Sequence, residues 1–290
     1  MLDGQRVPRP GASSAREVPA ERRQQTRKQW DAALHSLCEA SRLRAGIRIG
    51  QYVTAVSACG KARQWQWSLS LLGEMGGATL EPDVTFSYSA GVSACEKGEQ
   101  WQRALALLGE MWELSLPPDV ISYNTGISAC EKGRQWQQAL SLLSGMLQAK
   151  VEPDVISYSA GISACEKSSQ WQHALSLLSA ICSGNLEPNI VSYAAGISAC
   201  GKCEQWQHAL SLLGVMCATS VEPDVVCYNA GITSCEKGRQ WRHALSLLGE
   251  MRAAKVEPSL SALMLGLARA RRANNGSTHC CCSGRCWNFT

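Results

Sequence analysis

Residues 120–154 read VISYNTGISACEKGRQWQQALSLLSGMLQAKVEPD, and the chain returns to this stretch, with small changes, along most of its 290 residues. Ser122 suits a helix N-cap, because its hydroxyl accepts from an otherwise unpaired backbone amide. Tyr123, Ile127 and Cys130 follow at i, i+4 and i+7, one apolar stripe of a helix of about ten residues. Gly133 fits the left-handed residue that closes a helix. Trp136, Ala139, Leu140, Leu143 and Met146 then form the wider apolar face of a second helix. Pro153 ends the unit, since proline restricts the residue before it and cannot continue a helix. The result is a helical hairpin that cannot bury both its faces alone.

The stretch keeps time along the chain. Pro82, Pro118, Pro153, Pro188, Pro223 and Pro258 are separated by 36, 35, 35, 35 and 35 residues. Tyr52, Tyr88, Tyr123, Tyr158, Tyr193 and Tyr228 follow the same clock, as do the cysteines from Cys59 to Cys235 and the tryptophans from Trp65 to Trp241. A fixed period of this length predicts stacked repeats, which work through one long surface of equivalent positions. The register runs as six units from Ile49 to about Ser259, the second carrying one extra residue before Tyr88. Trp30, Ala33, Leu34 and Leu37 resemble a lone second helix, and Leu260 to Arg271 a lone first helix, both suited to end caps. Gly91, Gly126, Gly161, Gly196 and Gly231 recur mid-helix, each at a cost of about 1 kcal/mol relative to alanine. That cost implies close approach of a neighbouring helix. Each Trp opening a second helix reads as a wedge between hairpins. His173, His208 and His243, on that same helix, read as surface residues.

Composition sets further bounds. No stretch approaches the roughly 20 apolar residues that a membrane helix needs. The net charge of +4 is uneven: residues 1–30 and 261–290 each carry +4, leaving the array between them at −4. A polyanion would therefore be held by discrete contacts and not by bulk charge. Six of the 15 cysteines sit at one helical phase and read as reduced core thiols. Cys38, Cys182, Cys203, Cys217 and Cys227 form no ligand set, and Cys280, Cys281, Cys282 and Cys286 beside His279 lack the second pair of a zinc site. The Arg- and Ser-containing leader fits either an organelle transit peptide or a disordered polar tail. The expected domains are a leader at 1–28, a capped repeat array at 29–271 and a disordered Cys-rich tail at 272–290.

The first helix has a second face. Asn124, Ser128 and Lys132 lie at i, i+4 and i+8 on one polar line. The residue after each Tyr varies (Val53, Ser89, Asn124, Ser159, Ala194, Asn229), whereas Lys61, Lys97, Lys132, Lys167, Lys202 and Lys237 are constant. A constant cation beside a variable amide or hydroxyl suits a polymer with a uniform charged backbone and differing side groups. The alternative is a set of solvated lysines favoured by the helix dipole.

The 35-residue period, the Val-x-Ser-Tyr-Asn-Thr-like helix start, Cys-x-Lys-Gly-x-x-x-x-Ala-Leu and the closing Pro-Asp resemble the pentatricopeptide repeat family over about 210 of the 290 residues. The resemblance implies an all-α fold, a right-handed α–α superhelix or solenoid of about six 35-residue helix-turn-helix repeats. It implies binding of single-stranded RNA, one nucleotide per repeat, read by two or three side chains. The implied readers are the residue after Tyr and the residue closing the same unit. Asn124 with Asp154 would prefer U, Ser89 with Asp119 G, Ser159 with Asn189 A, and Asn229 with Ser259 a pyrimidine. Ala194 with Asp224, and Val53, depart from the polar pattern. Ile121, Ile156, Val191 and Val226 match the family's base-sandwiching position, and the lysine line would meet phosphates.

The His-x-Glu of the family's editing domains is absent, the one Cys-x-x-Cys, Cys200 to Cys203, stands without it, and no catalytic triad, phosphate loop or metal nuclease cluster stands out. The expectation is a non-catalytic, monomeric adaptor without cofactor or metal, acting in RNA processing, stabilisation or translation in a chloroplast or mitochondrion, with the cytoplasm as the alternative setting. The alternative function is a protein-interaction scaffold of the same shape.

Overall fold

The computed structural model describes residues 31, 32, 35, 49–75, 82–219 and 221–257. The leader, both expected end caps, Ser259 and the Cys-rich tail lie outside these. From Ile49 onward the described residues form helices and no strand. First helices are α1 (Ile49–Lys61), α3 (Pro82–Lys97), α5 (Val120–Lys132), α7 (Val155–Lys167), α9 (Ile190–Lys202) and α11 (Val225–Lys237). Second helices are α2 (Trp65–Met75), α4 (Trp101–Glu113), α6 (Trp136–Gln148), α8 (Trp171–Ser183), α10 (Trp206–Ala218) and α12 (Trp241–Ala253). None of them is long and apolar enough to cross a membrane.

Two compact units divide the chain, one running through Gly98 and the other starting at Glu99. In the first, α1 packs on α3 and both meet α2. In the second, α5, α7, α9 and α11 stack in chain order as one layer, and α6, α8 and α10 each pack against the first helices before and after them. This is the layering of an α-solenoid. The core follows the sequence stripe: Tyr123, Ile127 and Cys130 of α5 are buried with Ala139, Leu143 and Met146 of α6. The extra residue before Tyr88 is absorbed by an earlier start of α3 at Pro82, so Tyr88, Val92 and Cys95 keep their buried phase.

Helix boundaries depart from the sequence reading in a consistent way. The N-cap of α5 is Asp119, not Ser122: its backbone is extended (φ −83°, ψ 173°) and its carboxylate accepts from the Ser122 amide. Asp154, Asn189 and Asp224 cap α7, α9 and α11 likewise. A carboxylate or amide three residues earlier reaches the first-turn amides, which lengthens each first helix to 13 residues. At the other end Gly133 is right-handed (φ −76°), and Arg134 takes the left-handed conformation (φ 55°). The Gln135 amide donates to the Cys130 carbonyl at 2.9 Å, closing a Schellman turn around Arg134. Nor does Pro153 end α6; a similar turn does, with Lys150 at φ 57° and the Val151 amide on the Met146 carbonyl at 2.9 Å.

Glycines and tryptophans explain the stacking. A Cβ on Gly126 would lie 2.5 Å from Leu108 Cδ1 and 3.3 Å from Leu142 Cδ1, so leucines of two second helices pinch the first helix there. Gly161, Gly196 and Gly231 are pinched the same way. Gly133 serves Trp101 of the preceding hairpin, and Gly238 serves Trp206. Trp101 and Trp206 are thus the inter-hairpin wedges expected. The histidines are not plain surface: His173, His208 and His243 stack on Trp136, Trp171 and Trp206 with ring centroids 4.6, 5.0 and 5.1 Å apart.

Burial pushes the thiols of Cys165, Cys200 and Cys235 up to about 11 and that of Cys130 to about 12, whereas Cys182 and Cys217 lie exposed at one phase of the second helix. The thiolate is the nucleophile. Iodoacetamide on the native protein at neutral pH is therefore expected to modify Cys182 and Cys217 and spare Cys130, Cys165, Cys200 and Cys235. Peptide mass mapping before and after unfolding checks this, and equal labelling of both groups would contradict the packing.

Candidate nucleic-acid interface

Each expected reading pair combines two adjacent repeats. Within the second unit, Asn124, Ser159 and Ala194 stand on first helices beside the buried stripe, and Asp154, Asn189 and Asp224 are the N-caps of the next first helices. At Asn124 and Asp154 the pair is assembled: Asn124 Nδ2 donates to Asp154 Oδ1 at 3.1 Å. Ser157 Oγ donates to Asn124 Oδ1, and the Ser157 amide donates to Asp154 Oδ1 at 2.8 Å. Burial alone would raise the Asp154 pKa, but the Ser157 amide and hydroxyl, the Asn124 amide and the Ile156 amide together hold it below the ordinary value. The amide orientation is fixed by this network, because a flipped Asn124 would turn its carbonyl toward a carboxylate. One Nδ2–H remains as a free donor beside the anionic Asp154.

The next pair is arranged differently. Ser159 is only 7% exposed, and its hydroxyl lies 2.6 Å from the Val155 carbonyl and 2.6 Å from Ser192 Oγ. Asn189 is exposed, with Oδ1 accepting from the Ser192 amide at 2.8 Å, which leaves its Nδ2 as the outward group. Ala194 is half-buried and offers no polar group, while Asp224 caps α11 through the Cys227 amide at 2.9 Å. Asn229 is half-buried, and its partner Ser259 lies outside the described residues. Ser89, in the first unit, donates to the Thr85 carbonyl at 2.9 Å. Asp119, in the second, caps α5 and accepts from Ser122 Oγ at 2.7 Å. Val53 is half-buried in α1.

Beside the readers runs an apolar stripe. Ile121, Ile156, Val191 and Val226 are 69, 62, 58 and 59% exposed in the first turns of α5, α7, α9 and α11. Large aliphatic groups so open, at one repeated position, are free to contact a ligand. Phe86 occupies the same place in α3, one residue before Ser87-Tyr88, and is 72% exposed. It is absent from the set read by sequence, which was drawn from aliphatic side chains alone; the Ser-Tyr register marks it.

The lysine line proves to be partly self-neutralised. Lys167 Nζ pairs with Glu131 at 2.8 Å, and Lys202 Nζ with Glu166 at 2.7 Å. Glu166 also accepts from Ser198 Oγ at 2.8 Å. Lys61 and Lys132 are exposed, Lys97 is half-buried, and Lys237 is exposed with Gly201 where the preceding repeat would otherwise place a glutamate. Among the described residues no group of three or more His, Cys, Asp or Glu side chains is placed to hold a metal ion.

Three repeat profiles match: one described as PPR repeat family over residues 118–167, a PPR repeat over 191–218 and a pentatricopeptide repeat domain over 211–262. No curated protein matches the sequence significantly. Among solved structures the chain is similar to the pentatricopeptide repeat protein PPR10 from maize, at 22% identity and a TM-score of 0.66, over 88% of this chain and 37% of that one. The same maize protein in complex with an 18-nt psaJ RNA element gives 23% identity and a TM-score of 0.61, over 87% of this chain and 41% of that one. The pentatricopeptide repeat domain of Arabidopsis thaliana protein-only RNase P 1, in complex with tRNA, gives 15% identity and a TM-score of 0.56, over 62% of this chain and 95% of that one. The chain thus spans less than half the length of the maize protein. The profiles thus identify residues 118–167 and 191–262, within a 35-residue array of stacked helical hairpins, as pentatricopeptide repeats.

Proposed function

We propose that the chain binds single-stranded RNA sequence-selectively, one nucleotide per repeat, as a non-catalytic adaptor in the processing, stabilisation or translation of organellar transcripts. One observation carries the reading. The Asn124–Asp154 pair bridges α5 and α7, whose first turns carry the exposed Ile121 and Ile156. An N–H donor beside a carboxylate acceptor complements the O4 and N3–H edge of uracil, and aliphatic groups on either side suit the faces of a base. The RNA complexes of the maize and Arabidopsis proteins support the same direction. Family resemblance alone supports the organellar setting.

Asn124→Ser is expected to move the preference at one nucleotide from U toward G and to leave the other positions alone. Selection from a randomised single-stranded RNA pool at near-physiological salt reads this directly. A substituted chain that enriches the same base at every position would overturn the assignment of Asn124 as a reader.

A further inference from the structure

We infer that Ser157, and at the next interface Ser192, are positioning residues that set the orientation of the base-reading side chain in the repeat before them. The inference rests on the proposed reading of RNA and adds a third member to each reading unit. Ser157 is fully buried in the first turn of α7, so it does not itself face a ligand. Its hydroxyl oxygen accepts from the Asp154 amide at 3.1 Å, and its single hydrogen has two acceptors within reach, Asn124 Oδ1 and Asp154 Oδ1, the latter at 2.9 Å. Asp154 Oδ1 already accepts from the Ser157 amide and from Asn124 Nδ2. The hydrogen therefore goes to the nearer, less occupied Asn124 carbonyl.

This bond settles which end of the Asn124 amide faces outward. With Oδ1 held by Ser157 and one Nδ2–H by Asp154, the group presents a donor. Without the hydroxyl, Asp154 still disfavours a flipped amide, but one hydrogen bond alone holds the side chain, so the outward donor is held less firmly. The interface at α9 repeats the arrangement: Ser192 Oγ lies 2.6 Å from Ser159 Oγ and donates to Asn189 Oδ1 at 2.9 Å. It links both members of that pair and leaves the Asn189 nitrogen as the outward group.

At α11 the position is Cys227, whose amide still caps onto Asp224 Oδ1 at 2.9 Å. A thiol is a weak donor. The helix forms there, so the position accepts cysteine without loss of the backbone cap, and the reader it faces across the interface is Ala194, which has no polar group to orient.

The test uses the full chain, with a randomised single-stranded RNA pool as the probe, and compares the wild type with Ser157→Cys and Ser157→Thr. Ser157→Cys is expected to weaken the base preference at one nucleotide about threefold to tenfold, the scale of one hydrogen bond. The neighbouring preferences should stay in place. Ser157→Thr restores the hydroxyl and should restore the preference. Circular dichroism melting of each variant separates loss of folding from loss of selectivity. An unchanged preference in Ser157→Cys, beside a selective wild type, overturns the inference and leaves the proposed function standing. So does a uniform weakening at all nucleotides that tracks a lowered melting temperature, which marks a purely structural role. A wild type that enriches no base at any position overturns the RNA reading itself, and the inference with it.

Discussion

Gly133→Ala is expected to destabilise the second unit by about 1–3 kcal/mol, while Gly145→Ala, in the same hairpin, stabilises it by about 0.5–1 kcal/mol. A Cβ at Gly133 would lie 2.4 Å from Trp101 Cδ1, 2.7 Å from its Cγ and 3.1 Å from its Cβ. The indole is rigid and its Cβ is anchored to α4, so neither can swing aside without prising hairpins apart. At Gly145 a Cβ meets nothing within 4 Å, and only helix propensity changes. Gly109, Gly214 and Gly249, one position earlier in α4, α10 and α12, are equally open. Because these sites share no close neighbour, replacing all of them together with Gly145 should add about 2–4 kcal/mol. Gly126→Ala falls between the extremes, since the atoms it would meet are flexible leucine tips. Urea unfolding followed by circular dichroism and by tryptophan fluorescence reads the series. If Gly133→Ala unfolds at the wild-type midpoint, Trp101 is not seated on that turn.

The contrast among glycines shows what a repeat sequence can and cannot disclose. Periodicity delivered the hairpins, because Tyr123, Ile127 and Cys130 recur at a spacing that only one face of a helix satisfies. It also pointed to crowding at Gly126, since five glycines in phase inside helices demand a reason. It misplaced the caps. Ser122 and Asp119 are both good capping residues, and only the backbone conformation shows that the earlier one does the capping, with Ser122 inside the first turn. Gly133 misled by the same ambiguity: glycine is favoured both for left-handed turns and for close approach, and here the second reason holds while Arg134 takes the turn. The reading pair was legible only through family resemblance, as Asn124 and Asp154 are 30 residues apart. Ser157 was hidden altogether, because its partner belongs to the preceding repeat and serine in a first turn needs no further explanation.

The pairing of glutamate with lysine was hidden for a related reason, and it leads to the larger functional prediction. Glu131 and Lys132 are neighbours in sequence, which on a helix places them on different faces. Stacking sets these glutamates instead against the lysine of the next repeat: Glu131 meets Lys167, and Glu166 meets Lys202. A phosphate approaching Lys167 or Lys202 must compete with a carboxylate already in contact. Glu131→Gln with Glu166→Gln frees both ammonium groups, and each phosphate so engaged steepens the dependence of log K on log salt by about 0.7 for a single strand. The doubly substituted chain is therefore expected to show a slope steeper by up to about 1.4 and RNA binding about tenfold tighter at 0.1 M salt. Gly201 stands at the position where a glutamate would pair with Lys237, which is exposed, so Lys237→Gln should flatten the slope by about 0.7. Lys167→Gln should change it little, since that charge is already spent within the protein. Surface ion pairs contribute about 0–1 kcal/mol, so these substitutions should leave the fold in place. Binding to one fixed RNA across a salt series distinguishes the cases. Equal effects from Lys237→Gln and Lys167→Gln, with no gain from removing the glutamates, would show that the ladder does not govern access to the rail.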